Sequence, residues 1–236
     1  MLLSLQPQVA DGYRPWSDRR DNVSKKHKLA AILLNTLQKL IMEIAKKSLI
    51  DFIQHIFPIS DNIVNLIVKD FEKVTFNKSD FLLKEGQVCN DFLFLEKGFL
   101  RAFTFDTKAN EITTNFYRQN SIVFEVASYF KRTPTQENIQ ALTDCCGWKI
   151  DYDQFQSLFH SIQEFREFGR TNLVNGFIAF KERTMSMINS TAEQRYEHLI
   201  NTRPDIFQNV PLKYIASYLG ITDTSLSRIR KDIMKK

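Results

Sequence analysis

Leu212-Lys-Tyr-Ile-Ala-Ser-Tyr-Leu-Gly220-Ile-Thr-Asp-Thr-Ser-Leu-Ser-Arg-Ile-Arg-Lys231 reads as two short helices joined by a tight turn. Helices joined this way cross at a steep angle, and only a small side chain fits at their close approach. Ala216 stands there. Four positions later the turn suits a left-handed backbone, which Gly220 adopts without strain. Ile215, Leu219, Ile221, Leu226 and Ile229 supply the apolar wedge between the helices. Thr222 or Asp223 caps the second helix. Its outer face carries Thr224, Ser225, Ser227, Arg228 and Lys231. This is the pattern of a helix-turn-helix whose second helix enters the major groove of double-stranded DNA. Thr222, Thr224, Ser225, Ser227 and Arg228 are the candidates for bases and phosphates, and Arg230 and Lys231 for phosphates. The competing reading is a helical hairpin of an unrelated α domain, in which the agreement of small residue, glycine, apolar positions and basic face has no role.

Upstream of this stretch the helical spacing continues. Thr191 to Asn201 opens on Ser190 or Thr191 as cap, with Glu193 in the first turn, and Pro211 starts a helix over Val210 to Leu219. Ile162 to Asn189 contains no proline and reads as one long helix whose apolar residues include Phe165, Leu173, Phe177, Phe180 and Met187. Such a stripe is longer than one small domain needs and suits a dimerisation helix. The alternative is that it packs on the preceding domain. Gly169 and Gly176 would let a partner backbone approach closely.

From Val74 to Asp151 the texture is different. Short apolar runs alternate with turn residues every 8 to 12 positions, as in an all-β roll or barrel. Strands are expected at Phe92–Leu95, Phe99–Phe105, Ile112–Tyr117, Ile122–Phe124, Asn138–Leu142 and Trp148–Ile150. The first two flank Glu96-Lys97-Gly98 and read as a short-loop hairpin, with Phe99, Phe103 and Phe105 on one face. Residues 152–160 return to helix through Phe155, Leu158 and Phe159. Before the roll, residues 26–57 carry helical periodicity, and a second short helix over Asp61 to Phe71 follows Pro58 with Ser60 as its cap. Residues 1–25 show no periodicity and are expected to be disordered. Met42 is an alternative start, which mass spectrometry of the native N-terminus would test. The fold class expected is α+β: an antiparallel, jelly-roll-like β-roll with flanking helices, a long dimerisation helix and a C-terminal helix-turn-helix. The division expected is an extension over 1–41, a sensor roll over 42–160, the long helix over 161–189 and the DNA-binding domain over 190–236.

Composition narrows the function classes. The 236 residues carry a net charge of +5, which suits an anionic partner. Basic residues concentrate at Arg14 to Lys28 and at Arg228 to Lys236. Cys89, Cys145 and Cys146 form neither a disulfide framework nor a C-x-x-C metal pair, which fits a reducing compartment. Leu29 to Leu34 follows three lysines but is too short and too internal for a signal peptide or a membrane span. A cytoplasmic protein is expected. No phosphate-cradling, dinucleotide, zinc-protease or nucleophile-elbow motif is present, and His27, His55, His160 and His198 are scattered. No catalytic residues, metal ligands or cofactors are assigned.

At Ile215-Ala-Ser-Tyr-Leu-Gly-Ile-Thr and Leu226-Ser-Arg-Ile-Arg-Lys the chain resembles the DNA-binding end of the Crp–Fnr transcription regulators. Lys84-Glu-Gly, Phe94-Leu-Glu-Lys-Gly-Phe-Leu-Arg101 and Glu137-Asn-Ile-Gln-Ala-Leu142 resemble that family's cyclic-nucleotide-binding-like roll. The resemblance covers residues 48–236. It implies a homodimer on a palindromic DNA site, with RNA polymerase as a further partner. Two departures stand out. The family's Gly-Glu pair corresponds to Phe124-Glu125, and the Arg-Ser pair that holds a cyclic phosphate corresponds to Thr135-Gln136. Glu125, Thr135 and Gln136 are therefore the candidate ligand residues, but the phosphate's cation is gone, and no cyclic AMP binding is expected. In the second helix Thr224 replaces the Glu that often accepts from cytosine, so a different operator is expected. The cysteines do not match the iron–sulfur branch, and His55 or His160 are the only candidates for a haem-sensing one. The effector, if one exists, is unknown. The main rival is a small-molecule or cyclic-nucleotide sensor module with weak or lost DNA binding.

Overall fold

The computed structural model describes residues 44–234 together with Leu34, Thr36, Leu37 and Ile41. The chain divides into two compact units, Met1–Lys47 and Ser48–Lys236. In the first unit Leu34, Leu37, Ile41 and Ile44 are helical, with exposed side chains. The expected disorder of residues 1–25, most of the first half of the 26–57 helix, and the alternative start at Met42 lie outside the described residues.

The second unit is α+β. Helices α1 (Lys47–Ile56) and α2 (Asp61–Val68) lead into strands β1 (Glu72–Phe76), β2 (Phe81–Leu83), β3 (Asp91–Lys97), β4 (Leu100–Phe105), β5 (Glu111–Tyr117) and β6 (Ser121–Val123). A short helix α3 (Val126–Lys131) precedes β7 (Asn138–Ala141) and β8 (Cys145–Asp151). Then follow α4 (Tyr152–Ser161), α5 (Gln163–Asn189), α6 (Ala192–Thr202), α7 (Pro204–Asn209), α8 (Leu212–Tyr218) and α9 (Asp223–Ile233). Of these, α7 was not legible as a separate helix. The helix starts follow their caps. Asp151 and Gln154 close a capping box on α4, and Thr191 and Gln194 do so on α6. Ser60 stands at the start of α2, but its side chain makes no capping bond.

The strands form two antiparallel four-stranded sheets, ordered β1-β8-β3-β6 and β2-β7-β4-β5. Leu93, Leu95, Val123 and Ile150 of the first sheet share one core with Leu83, Leu100, Ala102 and Ile139 of the second. β3 is buried over four consecutive residues, Phe92–Leu95, because both its faces are covered. Phe94 meets Phe52 of α1 with ring centroids 4.8 Å apart, and Phe92 meets Phe155 of α4 at 4.7 Å. Phe165 and Phe168, at the start of α5, join the same cluster. The first turns of α5 thus belong to the roll core. Gly169, expected to face a partner, instead packs against the Phe159 ring of α4.

One expected element needs correction. Glu96-Lys97-Gly98 is not a hairpin turn, because β3 pairs with β6 and β8 while β4 pairs with β5 and β7. The segment is a corner where the chain leaves one sheet for the other. Short-loop hairpins and sheet-crossing corners both place glycine between two apolar runs, so the local sequence does not separate them. Gly98 has φ +104°, and a Cβ there would stand 2.7 Å from the Asp144 carbonyl oxygen and 2.5 Å from Cys145 Sγ. Both backbone sign and space demand glycine. Gly98→Ala should therefore destabilise the protein by about 2–3 kcal/mol, read as a lower denaturant midpoint at unchanged slope. An unchanged midpoint would mean that the corner relaxes freely.

Candidate nucleic-acid interface and sensor pocket

Helices α8 and α9 form the expected pair. Ile215, Ala216, Leu219 and Leu226 are buried at their crossing. Gly220 has φ +69°, and the Ile221 N–H donates to the Ala216 carbonyl at 3.0 Å, closing the turn. A side chain at 220 would also strike Met187 of α5, whose Cε lies 2.6 Å from the Cβ position. Thr222, rather than Asp223, caps α9: its Oγ1 accepts from the Ser225 N–H at 3.2 Å.

The exposed side of α9 carries Thr222, Thr224, Ser227, Arg228 and Lys231. Ser225 and Arg230 are half-buried, and Ser225 Oγ lies 3.0 Å from the Thr222 hydroxyl. Arg228, Arg230 and Lys231 form no ion pair among the described residues. Other arginines are spent on the fold. Arg195 donates to the Leu219 carbonyl at 3.0 Å and to the Ser190 carbonyl at 2.6 Å, and Arg203 donates to the Phe116 carbonyl at 3.1 Å. The exposed cations of α9 are thus available to an anion.

In the roll, Glu125 caps α3, accepting from the Ala127 N–H at 2.9 Å and the Ser128 N–H at 2.6 Å. Thr135 is buried. Its Oγ1 accepts from the Glu137 N–H at 2.9 Å, and its backbone bonds to Gly86 and Gln87. Gln136 is exposed, and its carbonyl accepts from Thr104 at 2.9 Å. Arg132, close in sequence, donates to the Cys89 carbonyl at 2.9 Å and to Asn90, and its guanidinium lies 3.8 Å from the Tyr152 ring centroid. That cation is fixed in place.

A residue not singled out from sequence is Glu137. Burial is the main cause that pushes its carboxyl above the usual range. Repulsion from Glu125 adds to this, and attraction to Arg183 opposes it. Burial also raises the Tyr117 hydroxyl, with Glu137 and Glu125 as further contributors. Burial, with Glu125 as a smaller contributor, therefore disfavours charge on Glu137. A cavity of about 420 Å³ adjoins Glu125 and Thr135, lined by Leu83, Gln87, Cys89, Asp91, Phe124 and Ile139, among others, a volume in the range of small-ligand pockets. His55 and His160 are exposed on α1 and α4, away from any enclosing wall.

Residues 73–161 match the family of cyclic nucleotide-binding domains. Among solved structures, a mutant of CooA from Carboxydothermus hydrogenoformans aligns with a TM-score of 0.58 at 19% identity, covering 72% of this chain and 78% of that one. The c-di-GMP responsive global regulator CLP of Xanthomonas campestris aligns with a TM-score of 0.61 at 12% identity, covering 75% and 92%. A chain described as a transcriptional regulator of the crp/fnr family from Eubacterium rectale also aligns at 0.61, with 15% identity and coverage of 76% and 88%. No curated protein matches the sequence.

The acidic pair gives a pH signature. The folded pKa of Glu137 lies above the ordinary value of 4.5, so the folded state binds that proton more tightly than the unfolded chain. Stability therefore falls as pH rises through this window and stays lowered above it. Glu137→Gln should be more stable than the wild type near about pH 7 and equal to it near about pH 3. Equal stability at neutral pH would show that the carboxylate is fully compensated.

Proposed function

We propose, for a chain that carries a cyclic nucleotide-binding domain and the fold of the Crp–Fnr regulators, a DNA-binding transcription regulator acting as a homodimer on a palindromic site. The observation that carries this is α9: a capped helix with Thr222, Thr224, Ser227, Arg228 and Lys231 exposed on one side and no acidic partner on its cations among the described residues. Arg228 is the base reader, while Arg230 and Lys231 hold phosphates. Ser225 supports the cap. Thr224 leaves cytosine without the usual acceptor, so the operator differs from that of Glu-bearing relatives.

The second copy pairs through α5. Beyond Leu173 this helix leaves Val174, Phe177, Ile178, Phe180 and Ile188 exposed, with Phe177 at 68% and Ile188 at 74%. A contiguous apolar face of this kind marks an association surface. Gly176 meets nothing within 4 Å and leaves room for a partner backbone. Two recognition helices roughly 34 Å apart then read a palindrome. RNA polymerase is the further partner this reading implies, and the cytoplasm its place. No helix among the described residues is long and apolar enough to cross a membrane.

The roll takes no cyclic AMP in this reading. A phosphate arriving near Thr135 would meet Glu125 and Glu137, with Arg132 held elsewhere. The cavity beside Cys89 supports the second reading, a small-molecule sensor whose DNA binding is weak or lost.

Competition gel shifts against genomic fragments separate the two readings, since a pure sensor gives no salt-sensitive, sequence-selective shift. On a selected fragment Arg228→Ala should lose roughly tenfold or more in affinity and relax sequence preference, while Lys231→Ala should lower the salt slope by about one. An Arg228→Ala protein with unchanged affinity and preference would remove it as the reader. Phe177→Glu with Phe180→Glu should sediment as a monomer, and a dimer that survives both changes would place the interface elsewhere. Calorimetric titration with cyclic AMP should give no micromolar binding.

A further inference from the structure

Strand β5 is the outer strand of its sheet, paired with β4 on one side only. Such a strand presents unpaired N–H and C=O groups along its free edge. In this protein helical side chains take them. Ser217, in the last turn of α8, accepts from the Thr113 N–H at 2.8 Å and donates to the Glu111 carbonyl at 3.1 Å. Arg183 of α5 donates to the Thr114 carbonyl at 2.8 Å and reaches the Thr113 carbonyl at 3.5 Å, and it also donates to the Tyr218 carbonyl at 3.1 Å. Arg203 donates to the Phe116 carbonyl.

A second, apolar observation coincides with these bonds. The core of the C-terminal helices contains Phe116 and Leu142 from the roll, packed with Tyr196, Ile206, Ile215 and Ala216. The Phe116 and Tyr218 rings lie 5.0 Å apart. Beside them Arg101 is buried, its guanidinium 3.6 Å from the Tyr214 ring centroid and 4.0 Å from that of Phe103. Arg101 also pairs with Glu111.

We propose that the helix-turn-helix is clamped onto the free edge of β5, so that roll and DNA-binding helices move as one body. The sheet edge, not a free joint at Ser190, then sets where the recognition helix points. Swinging the helices beyond Ser190 away would strip partners from the backbone of Glu111, Thr113 and Phe116, take the Tyr218 carbonyl from Arg183, and expose a shared core. Each of those losses opposes release. The clamp is a positioning device, and its effect on DNA rests on the DNA-binding reading above.

The test uses the full chain with Ser217→Ala and Tyr214→Ala combined. Amide exchange by NMR reads the clamp directly. The Thr113 amide should exchange slowly in the wild type and at least tenfold faster in the double variant, while amides of β3 and β8 keep their protection. Fast exchange at Thr113 in the wild type, or unchanged exchange in the variant, would overturn the clamp. Loss of protection in β3 and β8 would mean global unfolding, and Ser217→Ala alone then supplies the comparison. On DNA, the variant should bind a two-half-site fragment at least tenfold more weakly, with less than a twofold change on a single half-site. Equal loss on both, or tighter binding, would overturn the positioning role. A wild type that binds no DNA refutes the DNA-binding reading instead, and the exchange result decides the clamp by itself.

Discussion

The free edge of β5 is the constraint on which the arrangement of this protein turns. A sheet that ends in an unpaired strand must cover its edge or leave it as a template for another chain. Here Ser217 of α8, Arg183 of α5 and Arg203 of the α6–α7 junction cover it. The same strand supplies Phe116 to the core of the C-terminal helices. Sheet and helices therefore stabilise each other, and neither is complete alone.

The charges follow the same division of labour. Buried or half-buried arginines on the roll side serve backbone carbonyls and aromatic rings, and that use fixes them. The cations of α9 carry no such duty. Inside the roll the balance is reversed: burial, with Glu125 adding to it, holds the Glu137 carboxyl above its usual range. An anion is thus welcome at one end of the molecule and opposed near the ligand candidates of the roll.

Much of this was legible in the sequence, for identifiable reasons. Ala216, Gly220 and the apolar wedge are local requirements of one turn, and they sit where expected. Six of the eight strands fell near their expected positions because alternation and turn residues are local signals as well. Sheet membership was not local. The Glu96-Lys97-Gly98 corner has hairpin composition, and only the distant partners of β3 and β4 reveal the crossing. Ser217 passed unnoticed because its partners lie more than 100 positions away, at Thr113 and Glu111. Glu137 was hidden likewise, since a single Glu just ahead of a strand reads as solvated until its neighbours are known. The residues proposed to face DNA were read from the composition of one helix face, which needs no distant partner.

Helix α5 has 27 residues, which at 1.5 Å per residue makes a rod of about 40 Å. Its first turns are rooted among Phe155 and Phe52, its middle is apolar and uncovered, and near its end Arg183 and Met187 meet the C-terminal helices. Each added residue would rotate everything downstream by about 100°. A single insertion after Phe168 would turn Arg183 away from β5 and Phe177 away from its own side of the rod. Seven added residues, or eleven, would bring the phase back to within about 20°. The phase of the rod, more than its length, ties its apolar side to the position of Arg183.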